Sequence, residues 1–157
     1  MRKILLTLTI LISLSTHCLA ANWGWIHSNA NRGFFFDKDS IVYEISEDKK
    51  NINKDILYVW FKTVYDPAYA YKHFHRYDIF YCLNLYAFNF RNNKIRVMRT
   101  LHYTRDGETT LSYTKPTKWK PIIPDSVGEH LRDYARKYAK EHAEEIEHRT
   151  YGIDVIK

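Results

Sequence analysis

Trp119-Lys120-Pro121-Ile122-Ile123-Pro124-Asp125-Ser126-Val127-Gly128-Glu129 is the stretch on which the reading of this chain turns, because the hydrophobic period changes across it. Pro121 and Pro124 have restricted φ and hold an extended approach, and Trp119 gives that approach a large group to pack on a sheet. Ser126 and Glu129 form a capping box, in which the Ser hydroxyl accepts a backbone N–H and the Glu carboxylate reaches back to the Ser126 N–H. From there Val127, Leu131, Tyr134, Tyr138 and Ala139 recur at helical spacing as one apolar stripe. The pattern predicts a helix to about residue 147. Glu141, Glu144, Glu145 and Glu147 crowd its end, where negative charge opposes the helix dipole, so the last turn is expected to fray. Residues 150–157 read as a tail.

Upstream of this stretch the period is two. Residues 23–27 and 33–36 read as short strands, the second ended by Asp37-Lys38-Asp39-Ser40, whose Asp side chains bond their own backbone in turns. An extended pattern resumes at 41–45, and the polar run 47–54 is a loop. Residues 56–65 are β-branched and aromatic and read as a long strand, which Asp66-Pro67 breaks. A second long strand covers 77–90. Asn92-Asn93 turns it into a strand at 94–103, and Asp106-Gly107 turns that into one at 109–113. Strands in succession followed by a helix predict an α+β fold: an antiparallel β-sheet of about six strands with one C-terminal α-helix packed on it. Neither repeat nor linker is visible, so residues 21–149 form one domain.

The strand at 56–65 is apolar on both sides, with Leu57, Val59, Phe61 and Tyr65 on one and Ile56, Tyr58, Trp60 and Val64 on the other. A sheet with one solvated face alternates more cleanly. Either the sheet curls over itself or its second face meets a partner.

Residues 1–20 read as a secretory signal: Met1-Arg2-Lys3, an apolar run to Leu14, then Cys18-Leu19-Ala20 before Ala21. An uncleaved membrane anchor is the alternative. A lipoprotein signal would use Cys18, but His17 fits poorly before a lipid-accepting cysteine, which argues against a lipid anchor there. Without Arg2 and Lys3, 22 of the 24 basic residues face 18 acids, a net of +4 on the exported part. Aromatics make up 16% of the chain and there are only 5 Gly, which excludes disordered and collagenous classes. With Cys18 in the signal, Cys82 is left as the single thiol. It reads as a small buried hydrophobe in a strand or, alternatively, as an intermolecular partner.

Catalytic chemistry has little to stand on. His73-x-His75 places two imidazoles on one face of a strand, with His102 as a third candidate, but zinc needs three or four ligands. His142 and Glu145 share a helical face without an H-E-x-x-H motif. These residues point to a protein that is not an enzyme and has no cofactor and no metal site. The run from Tyr69 to Arg76 interleaves bases and aromatics as nucleic-acid binders do, yet the charge is modest and the signal points outward. Nucleic acid is therefore not expected as a partner. Acidic glycans, anionic headgroups or acidic protein surfaces are.

Taken in order, the residues resemble the surface-adhesin protein E family of Gram-negative bacteria. The resemblance rests on Trp23-Gly24-Trp25-Ile26, on Phe34 through Ile41, on Val59-Trp60-Phe61-Lys62, on Cys82, on Tyr103 before Asp106-Gly107, and above all on the stretch from Trp119 to Glu129. It implies an exported envelope protein, displayed on the outer-membrane surface or held in the periplasm. It also implies adhesion to host matrix proteins such as laminin and vitronectin, and a tendency to homodimerise. The family pairs its strand cysteine with one near the C-terminal helix; no cysteine follows Cys82, so that disulfide is not expected.

Arg132, Arg136 and Lys140 lie at i, i+4 and i+8 on the predicted helix, beside Lys118 and Lys120 in the segment before it. These five are the candidate ligand-binding residues of an adhesin-like protein. The alternative is a periplasmic structural or stress-associated domain that binds another envelope protein through the second sheet face.

Overall fold

The computed structural model describes residues 21–46 and 50–152. The expected signal peptide, Cys18 and residues 153–157 lie outside them. The chain runs β1 (Trp23–Ser28), β2 (Arg32–Asp37), a 3-10 turn, β3 (Val42–Ile45), β4 (Ile52–Tyr65), α1 (Pro67–Phe74), β5 (Tyr81–Asn89), β6 (Lys94–Tyr103), β7 (Thr109–Tyr113), β8 (Lys120–Pro121), α2 (Val127–Glu141) and α3 (Ala143–Gly152). The strands make one 8-stranded sheet in the order β1-β2-β4-β5-β6-β7, with β3 also on β4 and β8 also on β6. Every pairing is antiparallel. The α+β class is as the sequence predicts, with more strands and more helices than expected.

Cross-strand register sorts the side chains. Phe36 opposes Phe61, Leu57 opposes Phe88, and Thr63 opposes Cys82, which opposes His102. These lie on one face, and the helices cover it. Leu131, Ala135 and Ala139 of α2 and Ile146 of α3 close over Phe34, Phe36, Leu57, Val59, Phe61 and Phe88. Removing this set from water is the main driving force for the fold. The helical seam is rotated from the expected stripe: Ala135 is fully buried, while Val127 and Tyr134 are exposed. Small residues let the helix approach the sheet, and Tyr134 and Tyr138 pack from the flank against Phe36, at 5.9 and 5.5 Å between ring centres. Gly24 opposes Phe36, whose ring stands 2.6 Å from where a Cβ would be.

Three expectations are corrected. The run 69–76 is helix α1 with its cap, not strand. Asp66 accepts from the N–H groups of Ala68 and Tyr69, Pro67 occupies the first turn, and His75 closes the helix at φ 55°. The two imidazoles therefore share no strand face: His73 stacks on Tyr69 at 4.1 Å, and His75 is the C-cap. Second, the C-terminal helix is two helices with a break at His142, and the second runs to Gly152. Glu144 and Glu145 sit in the first turn of α3, where negative charge suits the dipole. The stretch read as a tail begins inside this helix: the Thr150 hydroxyl donates to the Ile146 carbonyl and accepts from the Tyr43 N–H. Third, the capping box is shifted by one. The Ser126 hydroxyl accepts from the Glu129 N–H at 3.3 Å, but the Glu129 carboxylate takes the Asp125 N–H at 2.8 Å.

A smaller buried cluster lies beneath α1. The Tyr65 hydroxyl is 2.8 Å from the Cys82 sulfur, to which Asn84 Nδ2 also donates. Burial pushes the Cys82 thiol pKa up, which removes thiolate character. The cysteine is free and buried, as its strand neighbours suggest. Phe74 of α1 packs on His102 at 5.1 Å, and burial pushes the His102 pKa down.

Candidate binding surface

The sheet's other face is the part the helices leave alone. Its residues follow from the same register. Trp25–Phe35–Lys62–Leu83–Leu101 cross the sheet as one row, with Val64–Tyr81–Tyr103 on one side of it and Trp60–Leu85–Arg99 on the other. Tyr58–Ala87–Arg96 make the next row. Trp25 is 59% exposed, while Phe35, Tyr58, Trp60, Lys62, Val64, Tyr81, Leu83, Leu101 and Tyr103 are half-buried. Leu85 and Ala87, at the middle of the last two rows, are buried, and the core residues of α2 and α3 all pack on the opposite face. The strand order runs from β1 to β7 without pairing those ends, so among the described residues the sheet does not close into a barrel.

Cations are set into this aromatic field. The Lys62 ammonium stands 4.5 Å from the Tyr81 ring centre and 5.7 Å from that of Trp23. The Arg96 guanidinium lies 4.5 Å from Trp119, the anchor of the segment before α2. It also meets the Tyr58 hydroxyl, while its buried Nε has no partner among the described residues. Tyr81 and Tyr103 stack at 4.8 Å. Burial, then the neighbouring Tyr103, pushes the Tyr81 pKa up, so this phenol stays neutral and offers a donor rather than a negative charge. Tyr58 donates to the Glu44 carboxylate at 3.2 Å, and burial raises its pKa as well. Among the described residues no group of three His, Cys, Asp or Glu side chains could hold a metal.

The five residues picked from the sequence fall elsewhere. Arg136 and Lys140 are exposed on the outer side of α2, and Lys118 and Lys120 are exposed before it. Arg136 rests 5.4 Å from the Phe90 ring. Arg132 differs from the rest. Its guanidinium donates to Glu129 at 3.1 Å, to Asp133 at 2.8 Å and to Asn93 in the β5–β6 turn. Those bonds clamp the start of α2 to that turn and leave little of the charge for a ligand. Nothing in the sequence singles out Lys62, Arg96 or Arg99 as ligand residues. A lysine inside an aromatic strand is a weak signal, and only the register shows that all three share a face.

The profile of surface-adhesin protein E matches residues 23–135, from the start of β1 into α2. The chain belongs to the surface-adhesin protein E family. Membership of a surface-adhesin family implies an exported, non-enzymatic binding protein. The fold agrees with it. Crystal form II of Haemophilus influenzae protein E superposes with a TM-score of 0.51 at 16% identity, covering 79% of this chain and 91% of that one. A further structure of Haemophilus influenzae protein E gives 0.49 at 17% identity, over 80% and 89% of the two chains. No curated protein matches the chain. No helix among the described residues is long and apolar enough to cross a membrane.

Proposed function

We propose that this member of the surface-adhesin protein E family is displayed at the bacterial envelope and attaches to acidic partners outside the cell. Those partners are host matrix proteins of the laminin or vitronectin kind, or acidic glycans. The observation that supports this reading is the open sheet face, where cations rest on aromatic rings and not on carboxylates. Lys118, Lys120, Arg136 and Lys140 form a second cationic surface in the proposal, with Arg132 behind them in a positioning role. The test is binding of the purified protein to immobilised laminin, vitronectin and heparin at low and high salt. Binding that weakens steeply with salt on at least one of them is expected. No binding to any, or binding indifferent to salt, overturns the reading.

The half-buried aromatic rows favour a second reading, in which the same face docks on another envelope protein inside the periplasm. Protease treatment of whole cells separates the two. Digestion of the intact-cell protein supports display, and full protection supports the periplasmic role.

A further inference from the structure

The open face also narrows the class of ligand, an inference that rests on the acidic-partner reading above. Lys62 on β4 and Arg99 and Arg96 on β6 lie in successive cross-strand rows of one face. β4 and β6 are separated by two strand spacings, about 10 Å across the sheet. Lys62 is fixed by Tyr81 and Trp23, and Arg96 by Trp119. Ring contact holds a cation in place without cancelling its charge, whereas a carboxylate does both. None of the three is in an ion pair among the described residues, although Arg76, Arg132 and Arg149 all are. Glu44, the acid beside Tyr58, accepts that residue's hydroxyl at one end of the field.

We infer that this face binds an acidic polysaccharide lying across β4, β5 and β6, with its anionic groups on Lys62, Arg99 and Arg96. Two features select a glycan over an acidic peptide. The cations are spread over the face of the sheet and not along an edge, where an extended peptide would add as a strand. The ground around them is apolar and aromatic: Leu83 and Leu101 share the Lys62 row, Trp60 shares the Arg99 row, and Tyr81 stands in the row beyond Lys62, while Leu85 and Ala87 between the strands are buried. Sugar rings carry anionic groups and present polarised C–H faces that suit electron-rich rings, whereas a run of Asp or Glu has only the charges. The charges meet the cations in pairs strengthened by full ionisation on both sides.

The experiment measures affinity of the purified protein for a defined heparin oligosaccharide, for the same oligosaccharide desulfated, and for poly-glutamate. Variants are Lys62→Gln with Arg99→Gln, Lys62→Arg, Arg136→Gln with Lys140→Gln, and the charge-matched control Lys72→Gln with Lys137→Gln. The expected result is tight heparin binding that falls roughly tenfold or more in the Lys62/Arg99 double variant. Lys62→Arg should retain it, and the control should match the parent. Desulfated sugar and poly-glutamate should bind weakly. Equal affinity for poly-glutamate overturns the glycan assignment in favour of an acidic protein partner. Loss in the Arg136/Lys140 variant alone moves the site to α2 and overturns the face assignment, while the acidic-partner reading survives. Absence of binding to both polyanions, with matrix proteins unbound as well, overturns both.

Discussion

Trp60 and Phe61 are neighbours in β4 and end on opposite sides of one sheet. Phe61 is 1% exposed, edge-on to Tyr86 and Phe88 and roofed by α2. Trp60 lies half-buried in the open field, between Leu85 and its strand neighbours. The two faces are built from similar residues, and what separates them is coverage. The helices among the described residues cover one side. The covered face converts its aromatics into stability, and the open face keeps them, with their cations, available to a partner.

Truncating both neighbours is the most direct challenge to this contrast. Phe61→Ala should cost about 3–5 kcal/mol, because it leaves a cavity in a packed core. Trp60→Ala should cost about 1 kcal/mol. Urea unfolding of the two variants checks this, and equal losses would mean that the second face is as buried as the first. Next in size is Thr150→Val, which leaves the buried Tyr43 N–H without its acceptor and should cost about 1–3 kcal/mol. A loss near zero would show the end of α3 to be detached from β3 and the roof shorter than described.

The third test is one of pH. His102 lies on the covered face with its pKa pushed down by burial, so the unfolded chain binds a proton more readily than the folded one. Its contribution is complete above the unfolded value of about 6.5 and is lost as pH falls below it, toward the lower folded value. His102→Phe should therefore flatten the fall in urea midpoint between neutral and mildly acidic pH. An unchanged slope would show that this histidine is not the group responsible. Smallest is Lys62→Met, which should change stability by no more than about 0.5–1 kcal/mol while removing the centre of the open-face charge. The same urea titration reads it, and a loss as large as that of Phe61→Ala would make Lys62 a structural residue of the sheet.

Much of the covered face is legible from the sequence. Alternation in β4 names Leu57, Val59 and Phe61, the Asn92-Asn93 turn sets β5 against β6, and Ser126 marks the start of α2. α1 is harder, since eight aromatic-rich residues look extended until Asp66 is seen as a cap and Pro67 as a first-turn residue. The acids after Glu141 mislead for a related reason. They read as the bad end of one helix and are the good start of another. The candidate site is least legible. The basic stripe Arg132, Arg136, Lys140 is periodic and easy to see, yet its first member is absorbed by Glu129, Asp133 and Asn93. The cations of the open face are at positions 62, 96 and 99 and show no local pattern.

Periodicity and caps act over a few residues, and they are enough to establish the antiparallel strands, the helix that follows them and the presence of two apolar faces. Packing between distant segments settles the rest: which face is roofed, where α2 gives way to α3, and which cations share an open surface. Those depend on strand order and register between segments tens of residues apart, and on how much area the helices can cover.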